Sequence, residues 1–310
     1  MTSPPPEIIV LAGPTAVGKT EVAISLAQGI GAEIISADSR QVYRELNLGT
    51  AKPTPEQRRA VPHHLIDFLD PRERYNAERF AQDALEVIHG ITSRGKRALV
   101  VGGTGFYIEA LMYEMSDIPP VGPDIEARLE AEAAERGMSA MHARLMVVDP
   151  ATAGRLKPND RQRILRALAV HDTSGRPLSH FHEASPRRER VKVQRYVVLT
   201  RPREELYARI NARVEAMIEA GLVDEVRALA DRYGWEAEGL KALGYRQFRE
   251  YLANRGTPSD GVPPVELLKR DTRRYAKRQL TWFRRVPQAV WVDLSDPAAP
   301  VWADLLTTGA

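Results

Sequence analysis

Cysteine is missing from all 310 residues. Its absence excludes disulfides, a thiolate nucleophile and any Cys-ligated zinc. It also suits a reducing compartment, so a cytoplasmic place of work is the expectation. No run of about 18 apolar residues exists, so no membrane-spanning helix and no membrane partner are expected. The N-terminus lacks a basic segment followed by an apolar one, so no secretory leader is expected, and residues 1–7 read as a short proline-rich tail. Internal repeats are absent too. A strong overall charge is also lacking. Lys and Arg number 44 against 41 Asp and Glu, a balance of +3, which by itself says little about a polyanionic partner. Apolar residues make up 43%, and the length suffices for one large domain or two modest ones.

What the total charge hides, its distribution shows. Lys269, Arg270, Arg273, Arg274, Lys277, Arg278, Arg284 and Arg285 stand against one acid, Asp271. Between Arg187 and Arg203 the only acid is Glu189. Solvated helix faces usually mix signs, so two nearly single-sign stretches look like phosphate-contacting surface. A phosphate signature is present as well: Gly13, Pro14, Thr15, Ala16, Val17, Gly18, Lys19 and Thr20 follow the apolar run Ile8 to Leu11. That order predicts a strand, a loop of inward backbone N–H groups and a helix. Such a loop cradles phosphate oxygens, with Lys19 on the distal phosphates and Thr20 able to ligate Mg²⁺.

Apolar runs at 8–11, 33–37, 98–101 and 195–200 read as strands, with Leu65 to Phe68 as a further one. Helical spacing marks 19–29, 76–92, 203–220, 223–233, 245–254 and 265–283; Ala289 to Val292 is a last apolar run. Strands and helices alternate, which predicts an α/β core with a mainly parallel sheet, of the P-loop NTPase-like kind. Residues 124 to about 184 show no strand, only helices at 124–136 and 160–171. Pro119, Pro120 and Pro123 mark the entry to this stretch and Pro186 its exit. The expected division is therefore a core of residues 1–118 and 190–310, interrupted by a helical insertion over 119–189.

Ligands of open α/β sheets bind beyond the C-terminal strand ends. Asp38 follows a strand directly, so its carboxylate could bind Mg²⁺ through water, accept a proton from a nucleophile, or simply cap a turn. The Gln41 amide suits a base edge. Thr104, after Gly102 and Gly103, could donate to a leaving-group oxygen or satisfy its own loop. His63 and His64 are adjacent, point opposite ways on an extended chain and lack further metal-ligand partners, so a structural role is expected. Arg209 and Arg213 share a helix face and could offer two cations to a diphosphate; alternatively Arg209 pairs with Glu205 and Arg213 faces solvent. Trp282 and Phe283 beside arginines suit RNA or simply belong to the core. From these residues alone, a small-molecule P-loop kinase and a GTPase-like RNA switch both stay open, although no guanine-specificity motif and no arginine-rich lid is evident.

Taken in order, the motifs resemble the tRNA dimethylallyltransferase family over nearly the whole chain. They are the loop 13–20, Asp-Ser-Arg-Gln-Val-Tyr (38–43), Gly-Thr-Ala-Lys-Pro (49–53), Pro-His-His-Leu-Ile-Asp (62–67) and Val-Gly-Gly-Thr-Gly-Phe-Tyr (101–107). Asn-Asp-Arg-Gln-Arg-Ile (159–164), Gly-Tyr-Arg-Gln (244–247) and Thr-Arg-Arg-Tyr-Ala-Lys-Arg-Gln-Leu-Thr-Trp-Phe (272–283) complete the set. The resemblance implies transfer of a dimethylallyl group from dimethylallyl diphosphate to N6 of adenosine 37 in tRNA, with Mg²⁺ as cofactor and no obligate protein partner. It implies that Asp38, Thr104 and Arg213 are catalytic, that residues 13–20 hold the diphosphate, and that Thr20 ligates the metal. It also implies tRNA contacts from Asp38, Ser39, Arg40, Gln41, Thr104 and Arg128. Further contacts would come from Gln162, Arg163, Ile164, Leu165 and Arg166, from Gly244, Tyr245, Arg246 and Gln247, and from Arg274, Lys277, Arg278 and Gln279.

Overall fold

The computed structural model describes residues 4–184, 188–254, 256–257 and 261–296. Pro186 and Arg187, read above as an exit marker and part of a basic stretch, lie outside them. The chain divides into two compact units, Met1–Tyr113 with Glu189–Ala310, and Glu114–Arg188. The first unit opens with β1 (Glu7–Ala12), α1 (Lys19–Ile30), β2 (Ala32–Ala37), α2 (Pro55–Ala60) and β3 (His63–His64). Next come α3 (Ala77–Ser93), β4 (Arg97–Gly102) and α4 (Gly105–Met112). The second unit holds α5 (Pro123–Val148), α6 (Pro150–Ala153), α7 (Arg161–Ser174) and α8 (Leu178–Ala184). The first unit resumes with β5 (Lys192–Thr200), α9 (Arg203–Glu219), α10 (Leu222–Tyr233), α11 (Arg249–Ala253), α12 (Pro264–Phe283) and β6 (Ala289–Asp293).

Continuous apolar strands must be covered on both faces, which parallel sheets with flanking helices achieve. The six strands run in the order β3-β2-β4-β1-β5-β6, and every pairing is parallel. On one side, Val22, Ala23, Leu26 and Ala27 of α1 pack with Ile9, Leu11, Ile34 and Leu99. The buried stripe Phe80, Ala84, Ile88 and Ile91 of α3 has the helical spacing seen in the sequence, and Asn76 caps that helix by accepting from the Arg79 N–H. With all strands parallel, the loops after β1, β2 and β4 emerge at one edge. Residues 13–18, 38–41 and 103–104 therefore converge there.

Two expected elements differ. Leu65 to Phe68 is not a strand; β3 is only His63–His64. Leu65 and Asp67 adopt φ of 58° and 62°, left-handed values that a strand cannot accommodate. The segment bonds instead to the turn after β2, through Asp67 N–H to Gln41 O and Phe68 N–H to Val42 O. The stretch 245–254 is not one helix: a 3₁₀ turn (Arg246–Phe248) precedes α11, because Gly244 sits at φ 107° with its N–H bonded by the Gln247 side chain. The final apolar run becomes edge strand β6.

In the second unit, α5 extends well beyond residue 136, interrupted at Gly137, whose φ of 77° and ψ of 161° break the helical path. Leu129, Met141, Leu145, Ile164 and Leu168 form its core. The buried Asp149 carboxylate accepts from the Thr152 and Ser179 N–H groups, tying α6 to the start of α8. Among the described residues, no helix is long and apolar enough to cross a membrane.

Candidate active site

A loop that cradles anions must turn its N–H groups inward, and something must then satisfy its carbonyls. Here cations do so. The Lys19 ammonium donates to Gly13 O and Pro14 O at 3.0 and 2.8 Å. Arg209 Nε of α9 donates to Ala16 O, and Arg201 Nε, just past the end of β5, to Val17 O, both at 2.9 Å. Gly13 is required by close approach, since a Cβ there would lie 2.8 Å from Leu199 O. Gly18 caps α1 at φ 109° with no side-chain partner, leaving the helix N-terminus open to a ligand.

This loop lines a cavity of about 770 Å³. Asp38, Gln41, Arg213, Arg246, Tyr275 and Arg278 also face it. Asp38 Oδ1 accepts from the Arg40 and Gln41 N–H groups at 2.8 and 3.2 Å. Among the described residues, Oδ2 receives no hydrogen bond, so the turn pins one oxygen and leaves the other for the cavity. The turn role and a chemical role thus coexist in one side chain. Burial pushes the Lys19 ammonium down to about 8, against the pull of Asp38 and with repulsion from Arg213. Burial likewise lowers Arg213, which Asp38 partly offsets. The cavity therefore holds more cations than anions, with Asp38 and Glu21 facing a larger set of Lys and Arg side chains, the condition under which a polyanionic ligand is drawn in.

Arg213 reaches inward rather than into solvent, with Nη2 3.5 Å from Ala51 O. Glu205 pairs with Arg201, not with Arg209. Thr104 accepts from the Ser39 N–H at 3.2 Å, so its hydroxyl joins the loops after β2 and β4, and it lies close to Tyr275 of α12. Gln41 is already engaged: Nε2 donates to Thr50 O and Ala51 O, both at 3.2 Å. His63 and His64 each make a hydrogen bond within the fold. Nδ1 of His63 is 2.7 Å from Val61 O, and Nε2 of His64 is 2.7 Å from Glu33.

Several residues expected to face RNA are instead structural. Gln279 is 5% exposed; its Oε1 accepts from the Thr15 N–H and its Nε2 donates to Gly103 O, both at 2.9 Å. It stitches the phosphate loop to the loop after β4. Tyr245 is fully buried, its hydroxyl donating to Glu225 at 2.7 Å. Gly244 lies against the Gly49 backbone, and Gln247 bonds Gly244 N–H and Asp271. Ile164 and Leu165 are core residues of the second unit, because the 3.6-residue period turns them inward. Their neighbours Gln162, Arg163 and Arg166 are exposed, as are Arg128, Arg246, Arg274, Lys277 and Arg278. Arg128 pairs with Asp172 at 2.8 Å and Arg163 with Asp160 at 3.1 Å.

Three features were not singled out from the sequence. Tyr275 borders the cavity beside Asp38, and its hydroxyl is pushed up to about 12, chiefly by burial. Its position one turn before Arg278 on a common helix face was the available signal. Glu225 accepts from the Leu48 and Gly49 N–H groups, holding the segment that bonds Gln41. Arg201 braces the phosphate loop. For the last two, partners distant in sequence leave no local trace.

The donor set can be tested for a metal. Among the described residues, no group of three or more His, Cys, Asp or Glu could hold one. Thr20 and Asp38 offer hard oxygen donors by the loop. Such a sparse set fits Mg²⁺, which takes most of its ligands from water and substrate phosphates.

Residues 41–286 match the family model described as IPP transferase, and residues 6–68 match that described as isopentenyl transferase. The chain is 47% identical over 294 residues to a tRNA dimethylallyltransferase of Syntrophobacter fumaroxidans, covering 93% of this chain and 84% of that one. It is 44% identical to one from Roseiflexus sp., covering 96% and 99%. Among solved structures, the tRNA isopentenylpyrophosphate transferase of Bacillus halodurans aligns at TM-score 0.66 with 38% identity, covering 93% and 89%. A eukaryotic dimethylallyltransferase acting on tRNA aligns at TM-score 0.77 with 28% identity, covering 93% and 74%.

Proposed function

Because this chain belongs to the tRNA dimethylallyltransferase family, we propose that its central cavity is where dimethylallyl diphosphate meets adenosine 37 of tRNA. The reaction joins C1 of the dimethylallyl group to N6 of the adenine. The C1–O bond breaks, the diphosphate leaves with the electron pair, and N6 loses a proton. The observation that carries this reading is the convergence, in one cation-rich cavity, of a phosphate loop and a carboxylate with one unengaged oxygen.

The adenine amine is a poor nucleophile because its lone pair is delocalised into the ring. Alignment with C1, and a base at N6 as the bond forms, are therefore what a protein can supply. Asp38 is that base: the pinned Oδ1 fixes the direction of Oδ2. The loop N–H groups not already taken by Gln279 and Pro14 O, together with the N-terminus of α1, Lys19 and Arg213, hold the diphosphate and stabilise its growing charge. Thr104, which accepts from the Ser39 N–H, borders the reacting carbon on the diphosphate side. Gln41, held by the carbonyls of Thr50 and Ala51, offers its remaining polar capacity to the adenine edge. Thr20, with Asp38 nearby, would hold Mg²⁺, which would supply neutralisation of the leaving-group charge. The adenosine must leave its stack to reach this depth. Exposed Gln162, Arg163, Arg166 and Arg128 of the second unit, and Arg246, Arg274, Lys277 and Arg278 of the first, supply contacts to the anticodon stem-loop.

Mass spectrometry of the RNA tests the reading. Incubation with unmodified tRNA, Mg²⁺ and dimethylallyl diphosphate should add about 68 mass units, one C5H8, to adenosine 37. Absence of that gain, with γ-phosphate transfer when ATP is supplied instead, would make the chain a kinase.

A further inference from the structure

Helix α4 is buried along most of its length, at Gly105, Tyr107, Ile108 and Ala110 to Met112. At its N-terminal turn, directly after Thr104, Phe106 is 45% exposed. A lone exposed ring is ordinary on a protein surface, but this one lies two residues past Thr104 and is joined to a second aromatic, so the pair offers a flat apolar surface for stacking. Its ring meets Trp282 edge-on, with centroids 6.1 Å apart. That indole is itself fixed: a Cβ on Gly105 would lie 2.1 Å from Trp282 Cδ1, so the ring rests directly on the start of α4. Trp282 follows Arg278 by one turn of α12, and Arg278 follows Tyr275 by another. Tyr275 and Arg278 line the cavity, the guanidinium 5.7 Å from the tyrosine ring. One helix face thus leads from the surroundings of Asp38 to an aromatic rim.

The charge around that rim names the kind of occupant. Arg274, Lys277, Arg278, Arg284 and Arg285 are all exposed, and residues 272–288 contain no acid. An apolar protein partner would have to desolvate these cations. A nucleic-acid strand neutralises them while placing a base on the ring, the combination used to hold splayed, single-stranded bases.

We propose that Phe106, backed by Trp282, is a stacking platform for a nucleobase flanking the adenosine that enters the cavity. This rests on the reading of the cavity given above, and it goes beyond that reading by assigning a binding site for a second base. The flipped adenosine breaks the loop's own stack, and the Phe106 ring replaces the stacking partner its neighbour loses.

The test uses anticodon stem-loop RNAs with 2-aminopurine at either nucleotide flanking adenosine 37. Binding to the wild-type protein should quench the fluorophore at one of the two positions. Phe106→Ala should abolish that quenching and raise KM for the RNA by about tenfold, the scale of one lost base–aromatic stack. KM for dimethylallyl diphosphate should not change. Phe106→Tyr should restore both RNA readouts. Quenching that persists in Phe106→Ala overturns the proposal, as does an equal rise in KM for the diphosphate, which would place the ring on the prenyl side. A wild-type protein that prenylates no RNA would instead overturn the reading of the cavity itself.

Discussion

A carboxylate that both closes a turn and takes a proton can be separated into its two duties. Asp38→Asn keeps an acceptor for the Arg40 and Gln41 N–H groups but loses the basic oxygen. We expect kcat to fall by about 10²- to 10⁴-fold, the usual worth of a positioned base, with tRNA affinity nearly unchanged. RNA binding lost in step with turnover, in a gel-shift titration, would reduce Asp38 to a turn residue. Lys19 gives a pH signature. Its folded-state value, about 8, lies below that of a free ammonium, so burying the charge destabilises the fold below pH 8. That cost is relieved as pH rises towards the unfolded value. Binding runs the other way, because the diphosphate needs the charged form. Its Kd should be flat below pH 8 and weaken by up to about tenfold per unit above it. Isothermal titration from pH 7 to 9.5 checks this, and a flat profile would show that loop N–H groups and Arg213 suffice. The phosphate loop and Asp38 were legible in the sequence because their chemistry depends on neighbours one to seven residues away. Gln279 and Tyr245 were not. A glutamine in a basic helix and a tyrosine after glycine look the same whether their partner is RNA or the protein's own backbone.

Elements show the same division. Strands β1, β2, β4 and β5 and helices α1, α3, α9 and α12 stand where apolar periodicity puts them, because burial against one sheet sets that period. Leu65 to Phe68 carries strand-like residues, yet its path is dictated by bonds to Gln41 and Val42 that no local pattern reveals. The most exposed consequence of such long-range construction is the segment 47–53. It has no regular structure, and its place depends on Glu225 from α10, on Tyr245 packed against Gly49, and on buried Lys52 paired with Asp67 at 2.6 Å. Glu225→Ala leaves two N–H groups and the Tyr245 hydroxyl without their acceptor. Each unsatisfied group costs about 1–3 kcal/mol. Because Thr50 and Ala51 orient Gln41, we expect a fall in kcat/KM for tRNA alongside the lower Tm, with Kd for the diphosphate little altered. Gln279→Leu should behave differently. It frees the Thr15 N–H and Gly103 O, so diphosphate affinity should drop while RNA affinity holds. Weakened RNA binding with normal diphosphate binding would return Gln279 to the RNA surface.

For the whole molecule, the near-zero net charge conceals how association is driven. Polyanion binding depends on local cations releasing counterions, so a total of +3 need not limit it. Both units offer such cations: Arg274 and Arg278 on α12 of the first, Arg163 and Arg166 on α7 of the second. Salt titration of RNA binding can therefore ask whether both units grip the same RNA. Replacing Arg274 and Arg278 by alanine should lower the slope of log K against log salt by roughly 0.7–0.9 for each phosphate no longer neutralised. Replacing Arg163 and Arg166 should lower it by less than two such steps. Arg163 already shares its charge with Asp160, and removing it exposes that carboxylate, so affinity falls while fewer counterions are at stake. Combining the two pairs should give additive losses, because among the described residues their acidic partners differ, Asp271 for Arg274 and Asp160 for Arg163. An unchanged slope for the Arg163 and Arg166 pair would confine the electrostatic footprint to the first unit. The second unit would then act through shape and uncharged groups such as Gln162, and its α7 face would no longer count as phosphate-binding surface.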